Sequence, residues 1–146
     1  MYGFMLFSHL TGLILWAGAI MTIVIMLILL KAQLGTADVN RLTGSIIRIF
    51  NRFAHPSAFV VLISGVVMIV QLDLGSNKPF WLDMMEKAGG TIILLFLIIA
   101  GIMGAKLKKK LTQHPNDAIA LSRYLTMVIG FFIAILAVVL IVSLKL

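Results

Sequence analysis

The stretch FSHLTGLILWAGAIMTIVIMLILL, Phe7 to Leu30, is apolar almost throughout and holds no charged side chain, yet an imidazole, His9, stands near its start. The charge-free run 1–30 would make roughly 45 Å of helix at 1.5 Å per residue. That exceeds the ~30 Å hydrocarbon core of a bilayer, so the helix must tilt or protrude. Three further runs, 53–72, 89–105 and 124–144, also lack Asp, Glu, Lys and Arg. Each fits the ~17–25 residues that a spanning helix needs. A soluble helical bundle would require polar faces on these segments, and they have none.

Composition agrees. The chain has 146 residues, 62% hydrophobic and 12% charged, against about 25% charged in soluble domains. The expected fold is an all-α integral membrane protein, a four-transmembrane-helix bundle forming a single domain over 1–146. The helices are expected at about 2–31, 45–72, 88–110 and 117–145. A helical pattern begins earlier than the second of these: Leu42, Ile46, Ile49, Phe50 and Phe53 recur at helix spacing between Arg41, Arg48 and Arg52. Pro56 should kink the chain near Arg52 or sit in the first turn of the membrane helix proper. Gly35 reads as a stop signal, Thr36 or Asp38 as the next N-cap, and Asn116 or Asp117 as the N-cap of the last helix. Gly75, Ser76, Asn77 and Pro79 mark a turn, and WLDMMEKAGG reads as a short interfacial helix.

The charges set an orientation. Lys31, Arg41, Arg48 and Arg52 face one acid in 31–52, and Lys106, Lys108, Lys109, Lys110 and Arg123 face one acid in 106–123. The positive-inside rule makes both loops cytoplasmic and both termini extracytoplasmic, in a multi-pass protein of the cell membrane. The net charge of +7 is then a topology signal directed at lipid, not at nucleic acid. The first run lacks a basic n-region and an A-x-A-like site, so it reads as a retained helix. No cysteine is present, which excludes disulfides, thiol redox centres and Cys-type metal sites.

An imidazole in an apolar run must be hydrogen-bonded, paired or ligated. His9, Gly12, Trp16 and Ala19 share one helix face, with room beside the two rings for a flat group or another helix. One reading is an axial haem ligand; the other is a histidine bonded to a neighbouring carbonyl or hydroxyl. A bis-histidine clamp is excluded within one chain. His9 and His55 should differ in depth by roughly 20–30 Å, and His114 lies in a turn. Met5 and His9 share a face, and Met84 and Met85 lie in the outer loop. Thioether with imidazole suits Cu(I), although methionine is also a common apolar filler. Arg48, Arg52 and His55 share a face that suits a propionate or a lipid phosphate, or serves as snorkelling anchors. Small residues at Ala100/Gly104, Gly101/Ala105 and Gly130/Ala134 suit close packing or a homodimer.

SHLTGLILWAG resembles the first helix of the HemJ-type protoporphyrinogen oxidases and the related CopD-like membrane proteins. RIFNRFAHPSAFVVLISGVVMI resembles their second core helix, with Arg48, Pro56 and Gly65 in place. FWLDMMEKAGGTIILLFLIIAGIMGAKLKKKL resembles the third, and SRYLTMVIGFFIAIL the fourth, with Arg123 placed like a family arginine. The chain departs from the family in LIIAGIMGAK, which has no histidine, and in YLTMV, which replaces an asparagine-glutamate-x-proline run. The resemblance implies haem b or porphyrin handling with His9 as ligand, Gly12 and Trp16 shaping the pocket, and Arg52 or Arg123 as charge partners. The departures count against the oxidase reaction. The CopD-like alternative is a copper protein or transporter using Met5, His9, Met84 and Met85. A third reading is a cofactor-free accessory subunit packed against a membrane-complex partner.

Overall fold

A computed structural model describes residues 2–73 and 78–145; the turn residues Gly75, Ser76 and Asn77 lie outside them. Helix α1 covers Tyr2–Lys31 and α2 covers Ala37–Leu72. Helix α3, Phe80–Met84, passes through a π-helical turn at Met85–Gly89 into α4, Gly90–Gln113, and α5 covers Ala118–Leu144. With Phe80–Gln113 taken as one, four helices are long and apolar enough to cross a membrane. The expected four-helix architecture is thus present, and the described residues form no β-strand.

Two boundaries differ from expectation. The second helix begins at Ala37, and Pro56 lies in its interior. Proline removes one backbone donor, but α2 packs against α4 before that gap, at Ile47, Asn51 and His55, and against α1 after it, at Ser57 and Val61, and this tertiary contact carries the helix through. The segment at Trp81 is likewise no separate interfacial helix. It joins α4 through the π turn, a device that inserts a residue into a helix without ending it.

The caps follow the sequence. Thr36 Oγ1 accepts from the Val39 amide at 3.3 Å, and Asp117 Oδ1 accepts from the Ala120 amide at 2.9 Å. Gly35 has φ of 117°, a left-handed conformation that glycine adopts without a Cβ clash. A Cβ there would also overlap the Asn116 side chain. Asn40 ties the two turns of this end together. Its Nδ2 donates to the Pro115 carbonyl at 2.9 Å, and its Oδ1 accepts from the Gly35 amide at 3.3 Å. Asn40→Ala should lower stability by about 1–2 kcal/mol, the net worth of two partly solvated hydrogen bonds, read as a lower Tm in detergent. An unchanged Tm would show that the two turns hold without this link.

The helices form a ring in the order α1, α2, α4, α5, with α1 opposite α4 and α2 opposite α5. Phe96 of α4 stands at the centre. Its ring meets Trp16 of α1 edge-on at 5.0 Å, Phe131 of α5 at 5.7 Å and Phe50 of α2 at 6.3 Å. Edge-to-face pairs at such distances add about 0.5–1.5 kcal/mol each beyond burial. Tyr124 is fully buried, and its hydroxyl has no partner among the described residues. Removing an unpaired buried hydroxyl relieves a desolvation cost, so Tyr124→Phe should hold or raise the Tm. A clear drop would reveal a partner for this oxygen.

Candidate functional site

Both described ends of the chain lie at the same end of the bundle, opposite the lysine run 106–110: Tyr2 and Ser143 line one cavity there. It has a volume of about 700 Å³ and is walled by all four spanning helices. That size falls within the ~300–1,000 Å³ of small-molecule sites. Its wall is apolar except for a few groups, among them His9, Glu86 and Lys87.

His9 is fixed from α2. Its Nδ1 lies 3.0 Å from the Val61 carbonyl and 3.2 Å from Ser64 Oγ. Ser64 donates its own proton to the Val60 carbonyl at 2.6 Å, so its oxygen presents a lone pair to the ring. Two acceptors at Nδ1 place the proton there and leave the lone pair on Nε2. Nε2 has no hydrogen-bond partner among the described residues. Gly65 makes room for the ring: a Cβ at that position would stand 3.3 Å from His9 Cε1. The oriented imidazole with a carbonyl behind it is the arrangement that metal-binding histidines use.

The other expected pocket residues lie elsewhere. Gly12 is covered by α2, where a Cβ would fall 2.9 Å from Val61 Cγ2 and 3.2 Å from the Ser57 carbonyl. It seats one helix on another and shapes no cavity wall. Trp16 belongs to the aromatic centre around Phe96. Arg52 and Arg123 are exposed and stand outside the cavity wall, toward the basic end. Among the candidate metal donors, Met85 lines the cavity with His9, whereas Met5 and Met84 do not. Met68 joins the wall unforeseen. The described residues contain no group of three or more His, Asp or Glu side chains that converge on one point.

His55 is a different kind of histidine. Its Nδ1 lies 2.9 Å from the Asn51 carbonyl and its Nε2 3.1 Å from the Leu97 carbonyl. A carbonyl stands against each ring nitrogen, so neither is open to a metal. Two glycines of α4 admit this polar stripe: a Cβ on Gly101 would meet His55 Nε2 at 3.3 Å, and one on Gly104 would meet Asn51 Nδ2 at 2.9 Å. Ala100, Gly101 and Gly104 of α4 therefore serve packing inside the chain, while Ala105 is exposed. The two histidines are closer in depth than the sequence suggested. His9 is level with Val61 to Gly65 on α2, so six to ten residues separate it from His55, about 9–15 Å of rise. They still occupy different helix interfaces, and no single iron can take both.

The acids and lysines of the cavity end pair with each other: Lys78 with Glu86, and Lys87 with Asp83 at 2.8 Å. Comparison with known proteins returns no matching family model, no matching curated protein and no matching solved structure. Fold and site together define a four-helix membrane-type bundle with one oriented imidazole on the wall of an apolar cavity.

Proposed function

We propose that this chain is a membrane haem-binding protein, in which His9 Nε2 would hold the iron in the cavity. The observation that carries this reading is the held imidazole: Nδ1 is engaged by Val61 and Ser64, and the ring stands on a cavity wall. The residues fit the group. The cavity has the volume for a flat apolar macrocycle, and Gly65 keeps the wall flat beside the imidazole. Bound haem would supply one-electron chemistry at iron. The chain would hold the iron, set the basicity of His9 through Val61 and Ser64, and exclude water with its apolar lining. The charge pattern supports a cytoplasmic basic end and outer termini, which puts the cavity on the outer side.

A second reading has its own support. Met68 and Met85 share the cavity wall with His9, and thioether with imidazole suits Cu(I). The two readings separate on one preparation. Protein purified in mild detergent from haem-supplied cells should show a stoichiometric Soret band that shifts on dithionite reduction. A colourless protein that stays colourless on adding haem would sink the haem reading. Copper found by elemental analysis in that colourless protein would support the second.

A further inference from the structure

Two stripes run side by side along the first half of α2. Arg41, Arg48 and Arg52 are spaced seven and four apart and share one face; all three are exposed. Leu42, Ile49 and Phe53 repeat the same spacing one residue on, and all three are also exposed. The apolar stripe is the one beside α1, because Val60 continues it and Val60 Cγ1 would stand 3.4 Å from a Cβ on Gly12. The arginine stripe therefore faces away from α1. Lys108, half-buried on α4, lies one turn beyond Gly104, the residue that Asn51 packs against. His55 leaves this set, since a carbonyl stands against each of its nitrogens and turns the ring toward α4.

No described carboxylate answers these cations. The ion pairs among the described residues, Lys78–Glu86 and Lys87–Asp83, both lie at the opposite end. The depth of the stripe sharpens the problem. Gly12 is level with Ser57 to Val61, so equal helical rise puts Arg52 level with about Ala19 of α1. Beyond that level α1 stays charge-free to Leu30, for about another 15 Å of rise. On the α2 side, two arginines stand at a depth where the neighbouring helix still presents apolar side chains. Cations at such a depth either snorkel toward the interface or take an anionic partner.

Below the arginines the same face becomes an apolar track. Phe59, Ile63 and Val66 lie seven, eleven and fourteen residues after Arg52, and all are exposed. Arg52 to Ile63 covers about 16 Å, close to half of the ~30 Å hydrocarbon core, the depth of one leaflet.

We propose that this face of α2 binds an anionic phospholipid, with its phosphate on Arg48 and Arg52 and its acyl chains along Phe59 and Ile63. Guanidinium groups grip phosphate oxygens through charge-assisted, often paired, hydrogen bonds. A headgroup drawn down to this level supplies the missing charge, and its chains cover the apolar track that an acidic protein segment would leave bare.

The test uses the full chain in detergent. Native mass spectrometry should show retention of phosphatidylglycerol in preference to phosphatidylcholine, and phosphatidylglycerol alone should raise the Tm. Arg48→Gln/Arg52→Gln should weaken that retention about thirtyfold, the factor that follows from ~1 kcal/mol per cation near a membrane. Lys109→Gln/Lys110→Gln removes the same charge from α4 and should leave retention near wild type. Equal retention of both lipids, unchanged retention in the arginine variant, or equal loss in the lysine variant would overturn the proposal. So would a stoichiometric acidic membrane protein that co-purifies in place of lipid and is lost in the arginine variant.

Discussion

His9→Ala should purify colourless from haem-supplied cells in which the parent chain is red. The argument rests on supply. His55 has both nitrogens on carbonyls, and His114 sits exposed at the C-terminal end of α4. Among the three histidines, His9 alone stands on the cavity wall, so its loss removes the imidazole that could ligate an iron there. His55→Ala and His114→Ala should keep the Soret band. Ser64→Ala is a finer probe, because it deletes one of the two groups that hold Nδ1. Loss of such a supporting contact typically costs about 10–100-fold in metal affinity, which should appear as faster haem loss to an apo-globin acceptor. His9→Gly with added imidazole gives the converse result, a partial return of colour. Colour that persists in His9→Ala would place the iron on another donor, and Met85 would be the first to replace.

Much of the fold was legible because the signals are long. Four charge-free runs fix four helices whatever packs around them, and Thr36 and Asp117 mark helix starts through local chemistry alone. Pro56 misled, because its local preference to break a helix was outweighed by contacts with α1 and α4 that no short window records. The site was legible only in its imidazole. His9 stands out as a polar residue in an apolar run, but the groups that hold it come from α2, more than fifty positions away. Their signal is faint: Ser64 and Gly65, two small residues inside LISGVV. The shared helix face of His9, Gly12 and Trp16 suggested one pocket. In the structure the neighbouring helices divide that face among a cavity, a helix contact and an aromatic centre.

Gly12 marks that division, and Gly12→Val should be among the most damaging single substitutions in the chain. Helix α1 lies against α2 so closely that even a Cβ would fall 2.9 Å from Val61 Cγ2 and 3.2 Å from the Ser57 carbonyl. The methyl could yield by a rotamer change. The carbonyl belongs to the α2 backbone, so α1 must move away. Overpacking of this kind costs about 1–3 kcal/mol, and close small-residue contacts are a main source of helix association where lipid supplies no hydrophobic drive. The displacement should also reach the site. His9 lies one helical turn from Gly12 and is held by Val61, the residue the new side chain strikes. Gly12→Val should therefore lower the Tm and weaken haem retention together, although Gly12 itself is no part of the cavity wall. Gly18→Val is the control, since a Cβ there meets nothing within 4 Å; it should leave both properties near the parent values. If both variants melt alike, the tight α1–α2 seam does not exist in the membrane protein. If Gly12→Val lowers the Tm but keeps its colour, His9 does not depend on α2 for its position, and the held imidazole would lose its place as the basis of the haem reading.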